Sequence, residues 1–268
     1  MALRIVVCVK QVPDPDVPVS AFKVDEAAKR FITPPGQPPV VNGFDLNATE
    51  AALRLRDAAG GGETEITILA AGPSFSMDVI KRPLSMGADR LVLVEDETLA
   101  ELDSFATAQV LGAAIQNAGP FDLVLCGRQA SDWDNAHVPL VLSELLEWPC
   151  VSLARRVSLS GSEIRIERAL PDGYQVVETP LPAVVTVSNE LGEARYPTLR
   201  NIMAATRKAP VRLSLDDLGL DATVLEPRTV IERLFVPEHE RHCEVVAGED
   251  DVDAGRKLAL RLREEKII

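Results

Sequence analysis

Basic charge is scarce in this sequence. It sets 28 lysines and arginines against 41 aspartates and glutamates, for a formal net charge of −13. Such a chain has no general attraction to nucleic-acid phosphates or anionic lipid, so neither is expected as a partner, and proteins with cationic rims are. Cysteine is scarce too. Cys8, Cys126, Cys150 and Cys243 stand singly, without C-x-x-C spacing, which argues against a zinc site or a disulfide framework. No apolar run approaches the roughly 20 residues that span a bilayer. The opening MALRIVVCVK lacks a charged segment followed by a long apolar one, and no transit peptide is evident, so a cytoplasmic location without membrane insertion is the expectation. Also missing are a P-loop lysine motif, an evident acid–base constellation and a metal cluster.

What is present is an ordinary globular composition, 46% hydrophobic and 26% charged over 268 residues, enough for a real core. Short runs rich in Val, Ile and Leu recur at Leu3 to Val9, Glu65 to Ala71, Arg90 to Val94 and Phe121 to Cys126. Their continuous apolar character predicts strands buried on both faces of a parallel sheet. Between them, Asn47 and Glu50 read as a capping box ahead of a helix over Ala48 to Ala59 that stops at Gly60 to Gly62. Further helices are expected over Ser74 to Met86, kinked at Pro83, and over Asp103 to Asn117. Beyond residue 150, alternating runs at Ser162 to Ala169 and Tyr174 to Thr179, joined by turns, predict an antiparallel addition. The pattern divides the chain into an α/β domain over residues 1–235 and an extended arm with a helix near Asp251 to Glu265 over 236–268.

In a doubly wound sheet the ligand site lies beyond the carboxyl ends of the strands. Gly127 opens a loop at such an end, and Pro139 sets the next helix start at about residue 136 or later. Free amides of that first turn, with Gly127 allowing close approach, suit a phosphate. The loop has one cation, Arg128, against Asp132 and Asp134, so backbone rather than side-chain charge would hold the anion.

Several stretches in the right order resemble the beta subunits of electron transfer flavoproteins and the related FixA proteins. They are VCVKQVPDP from Val7 to Pro15, NGFDLNATEAALRL from Asn42 to Leu55, and AGPSFSMDVIKRPLSMGADRLVLVED from Ala71 to Asp96. DLVLCGRQASDWDNAHVPLVLSELLEWP from Asp122 to Pro149, LPAVVTVSNELGEARYPTLRNIMAA from Leu181 to Ala205 and DDLGLD from Asp216 to Asp221 follow. The resemblance implies an α/β fold, a doubly wound, mostly parallel Rossmann-like sheet of the adenine-nucleotide-binding type. It also implies a heterodimer with an alpha subunit that contributes most of an FAD site, with the C-terminal arm and helix docking on that subunit.

By the same resemblance a nucleotide, AMP, is enclosed by Cys8, Asn42, Gly43, Phe44, Asp45, Ala71 and the run Gly127, Arg128, Gln129, Ala130, Ser131, Asp132, Trp133, Asp134, Asn135, Ala136, His137 and Val138. Members with a second FAD there carry D-G-D followed by a T-A-Q-V-like run. Ala136 and Val138 match that pattern whereas Trp133 replaces its glycine, so a second FAD stays open beside AMP. His137 stands where the family has glutamine and is expected to hydrogen-bond rather than to move protons. Phe44 and the turn Pro13 to Pro15 match positions near the partner's flavin. Leu191, in the recognition loop Glu190 to Leu199, is expected to anchor client dehydrogenases; a quinone oxidoreductase or another acceptor takes the electrons onward. No bond chemistry of its own is expected. An adenine-nucleotide hydrolase or ligase, or a nucleotide-sensing domain, is the alternative from other classes, because fold does not fix function.

Overall fold

The structure, a computed structural model, describes residues 3–18, 21–60, 64–237 and 243–268. Gly61 and Gly62 of the expected helix stop, and residues 238–242 of the arm, lie outside these. The chain divides into two compact units, residues 1–23 with 31–232 and residues 24–30 with 233–268.

The chain begins with β1 (Arg4–Cys8) and the short strands β2 (Gln11–Val12), β3 (Lys23–Asp25), β4 (Arg30–Ile32) and β5 (Val40–Val41), the boundary of the first unit falling within β3 and β4, and continues in α1 (Gly43–Ala58). Next come β6 (Glu65–Gly72), α2 (Met77–Ile80), α3 (Arg82–Met86), β7 (Arg90–Glu95), α4 (Ser104–Ala118), β8 (Leu123–Gly127) and α5 (Val138–Leu146). The antiparallel strands β9 (Cys150–Ser160), β10 (Glu163–Leu170) and β11 (Gly173–Pro180) precede β12 (Ala183–Val187), α6 (Leu199–Arg207) and β13 (Val211–Leu213). In the second unit, α7 (Asp251–Glu264) is capped by Asp250, which accepts from the Asp253 amide. Among the described residues no helix is long and apolar enough to cross a membrane.

The main sheet runs β11-β10-β9-β12-β8-β1-β6-β7-β13, parallel from β9 to β13 and antiparallel across β9, β10 and β11. Successive side chains of a strand point to opposite faces, and the sequence uses both. Ile5, Val7, Ile66, Ile68, Leu123 and Leu125 pack with α1 residues such as Leu53 on one side. Val6, Cys8, Leu69, Val124 and Cys126 pack with Val110, Ala114 and Ile115 of α4 on the other. This double coverage is why the strands read as unbroken apolar runs.

Two local expectations are corrected. The helix expected from Ala48 begins at Gly43, with Asn42 as its N-terminal flank, and Asn47 and Glu50 lie inside it facing other segments. The helix expected across Ser74 to Met86 is two short pieces, with Pro83 in the first turn of the second, where its missing N–H costs no helical bond.

Candidate functional site

The chain runs outward from β1 through β6 to β7, then returns to lay β8 against the other flank of β1. Its switch point therefore lies between β1 and β8, and the crevice that such a topology leaves is expected beyond Cys8 and Gly127. Cys8 pairs in register with Cys126, both thiols are buried, and the Cys8 hydrogen bond together with burial pushes the Cys126 thiol well above its ordinary range. Those thiols are inert packing. Ala71 ends near the carboxyl side of the neighbouring β6.

Asp45 closes the floor of the crevice. Its carboxylate accepts from the backbone N–H of Lys10 at 2.7 Å and of Gly127 at 3.1 Å, tying the segment after β1 to the end of β8. Burial raises its pKa from the ordinary 3.8 to about 7, against the lowering effect of those amides, the Asn42 side chain and the Lys10 ammonium. The approach is so close that a Cβ on Gly127 would meet Asp45 Oδ1 and lie 2.7 Å from Phe44 Cβ and 2.8 Å from the Phe44 carbonyl carbon. Beside Gly43, by contrast, the space is open.

Asn42, 1% exposed, ties the next loop to the start of α1. Its Nδ2 donates to the Gln129 carbonyl at 2.8 Å, and its Oδ1 accepts from the Ser131 N–H at 3.3 Å. Arg128 lies over the Phe44 ring at 5.6 Å, a cation–π contact that fixes both. Gln129 Nε2 donates to Asp134 at 2.6 Å, and Asp134 and Ala136 hold left-handed backbone at φ 52° and 55°. Lys10 Nζ pairs with Asp132 at 2.6 Å. Lys10 is thereby matched, and an anion here would fall to Arg128 and to hydroxyl groups. One hydroxyl is ready: Ser131 Oγ is buried with no hydrogen-bond partner. A buried polar group left so costs about 1–3 kcal/mol, and a ribose or phosphate oxygen is a group of the right chemistry to satisfy it.

Most of the expected site residues thus lie around the carboxyl ends of the central strands β1 and β8. Trp133 is 47% exposed and does not fill the crevice, and Asn135 and His137 are exposed, His137 just ahead of α5 and Val138 in its first turn. Lys10 was not among the expected residues although it lies within VCVKQVPDP; its backbone role depends on Asp45, 35 residues away.

Leu191, which the resemblance implies as the client anchor, lies turned inward in the chain by itself. It is 7% exposed and joins the chain's own core, in a turn packed beside β9 and α1. Fully burying a leucine is worth about 1.5–3 kcal/mol, and an apolar recess lies within reach. The loop's outward apolar groups are Tyr196 and Leu199, at 83% and 74% exposure.

Two outcomes test this geometry. Gly127→Ala, which drives a methyl into α1 backbone, lowers stability by about 1–3 kcal/mol in denaturant unfolding; an unchanged midpoint contradicts the close approach. Asp45 binds a proton more tightly folded than unfolded, so its contribution to stability is complete below about pH 4 and declines as pH rises to about 7, by roughly 4 kcal/mol in all. Asp45→Asn lacks this decline, and equal pH slopes for the two chains between pH 4 and 7 would refute the buried carboxylate.

Comparison with known proteins bears on this crevice. The electron transfer flavoprotein domain family matches residues 35–218. The electron transfer flavoprotein subunit beta of Thermoanaerobacterium thermosaccharolyticum is 35% identical over 270 residues, covering 99% of this chain and 100% of the relative. The caffeyl-CoA reductase-Etf complex subunit CarD of Acetobacterium woodii is 33% identical, over 99% of this chain and 100% of its own length. Protein FixA of Azorhizobium caulinodans is 34% identical, over 88% of this chain and 85% of its own. A doubly wound sheet with a crevice at its switch point, matched nearly end to end by these relatives, leads to one conclusion: the chain belongs to the beta-subunit family of electron transfer flavoproteins.

Proposed function

We propose that this chain is the nucleotide-holding, client-docking half of a heterodimeric electron carrier, and that the β1–β8 crevice encloses AMP. A larger alpha subunit supplies most of the site for FAD, whose ring takes up and gives out the electrons. The beta chain performs no bond chemistry; it seats its partner, through the arm and helix of residues 236–268 among other surfaces, and meets the dehydrogenases that reduce the flavin and the acceptor that reoxidises it. The observation that carries the reading is the buried Ser131 hydroxyl without a partner, beside the carboxyl ends of β1 and β8 at the position the resemblance assigns to a nucleotide. Asn42 and Asp45 shape its walls, and the loop from Gly127 to Val138 would cover the phosphate end.

A second reading, a second FAD in place of AMP, draws support from Trp133, whose half-exposed indole leaves the crevice free. The docking element is the loop Glu190 to Leu199, with Leu191 inside it fixing its shape and Tyr196 and Leu199 offering apolar surface. Small interfaces with few apolar contacts suit transient electron-transfer encounters.

Co-expression with an alpha subunit of the same family tests the carrier role. The expected product is a yellow complex whose flavin is bleached by a reduced dehydrogenase. A colourless monomer that binds or turns over adenine nucleotide by itself would replace the carrier with a sensor or hydrolase.

A further inference from the structure

One stripe of α1 is polar and faces the loop after β12. Asn47, Glu50, Arg54 and Asp57 recur along it at helical spacing. Asn47 Nδ2 donates to the Gly192 carbonyl at 2.8 Å, and Arg54 Nη1 to the Leu191 carbonyl at 2.9 Å. Glu50, its side chain only 6% exposed, is the centre. Its Oε2 accepts from Arg195 Nε at 2.7 Å and from the Arg195 backbone N–H at 3.2 Å, while Oε1 accepts from Arg195 Nη2 at 3.2 Å and Arg54 Nε at 2.9 Å. Arg195 Nη2 also reaches Asp57 at 2.8 Å. Burial pushes the Glu50 carboxyl up, but the guanidinium groups of Arg195 and Arg54 outweigh it and hold the group below its usual range, ionised.

These bonds grip the loop on both sides of Gly192, whose backbone is left-handed at φ 99°. Leu191 fixes it from beneath. What remains outside is the ridge ending in Tyr196 and Leu199. A carboxylate with four donors, nearly all from groups that belong to the loop or steady it, is far more than a helix surface needs for its own stability; i,i+4 pairing with Arg54 alone would serve that.

We propose that Glu50 is the positioning residue of the docking loop: by binding Arg195 it holds residues 191–195 in the one conformation that presents Tyr196 and Leu199 to a client dehydrogenase. The inference rests on the reading of this loop as the docking element. A loop already ordered in the free carrier does not have to be ordered during the encounter, and the weak interface of a transient complex has little surplus to order it. Because Glu50 touches neither the crevice nor the presented side chains, its loss acts on encounter and not on electron transfer within the docked complex.

The test uses the complete alpha–beta complex and a dehydrogenase known to reduce the wild type. Glu50→Gln is expected to raise the KM for the carrier on the order of tenfold, a cost comparable to re-ordering a few side chains. The kcat and the bound flavin stay at wild-type values, and amide hydrogen exchange of residues 190–196 becomes faster. Arg195→Lys, which retains the charge but not the fork, is expected to give an intermediate KM, and it serves as the readout if Glu50→Gln does not assemble. Tyr196→Ser, on the exposed ridge, is expected to raise KM without changing exchange. If Tyr196→Ser raises KM while Glu50→Gln and Arg195→Lys match the wild type, Glu50 is not a positioning residue and the docking loop stands. If none of the three changes KM, the docking reading falls and the inference falls with it.

Discussion

The carboxylate of Asp45, buried at the meeting of β1, β8 and α1, is the contact on which the rest of the molecule depends. It takes the amides of Lys10 and Gly127, and so fixes the two chain segments that leave the sheet on either side of the switch point. A group of that kind is expensive to bury, and burial accordingly lifts its pKa to about 7. The cost is offset only because the two amides would otherwise be left unpaired at the mouth of the crevice. Gly127 is the complementary half of the arrangement. Any larger residue would part α1 from the strand end, and Phe44, with Arg128 over its ring, would lose its seat.

From that contact α1 runs as a single rod of 16 residues toward the opposite function. Its first turn and the preceding Asn42 hold the loop after β8, and its outer stripe grips the loop after β12. A carrier must keep its own cofactors sequestered while meeting several partners briefly, and a rigid helix between the two regions lets each be built without loosening the other. The acidic surplus of the chain, −13 overall, sets the electrostatic character of what it meets.

Much of this was legible in the sequence because it was local or periodic. The strands were legible as two-faced apolar runs, α4 from Asp103, which does accept from the Ala106 amide, and the antiparallel addition from its alternation and turns. The address of the crevice followed from a glycine directly after an apolar strand. What sequence alone misplaced was decided by distant partners. The capping-box pattern at Asn47 and Glu50 is a local rule, but α1 starts at Gly43, and its first turn is held by amides 35 and 82 residues from Asp45. Glu50 was free for another task, binding an arginine 145 residues away. Leu191 likewise packs beside β9 and α1, a contact that no local pattern shows. The pairing of Lys10 with Asp132, 122 residues along the chain, was not legible either.

The central claim is that the switch-point crevice holds an adenine mononucleotide while the flavin belongs chiefly to the partner. The buried Ser131 hydroxyl without a partner and the matched Lys10–Asp132 pair support that reading. Acid extraction of the purified alpha–beta complex, with the released nucleotides quantified by chromatography, measures this directly. The account predicts one FAD and one AMP per heterodimer; two FAD and no AMP would contradict it.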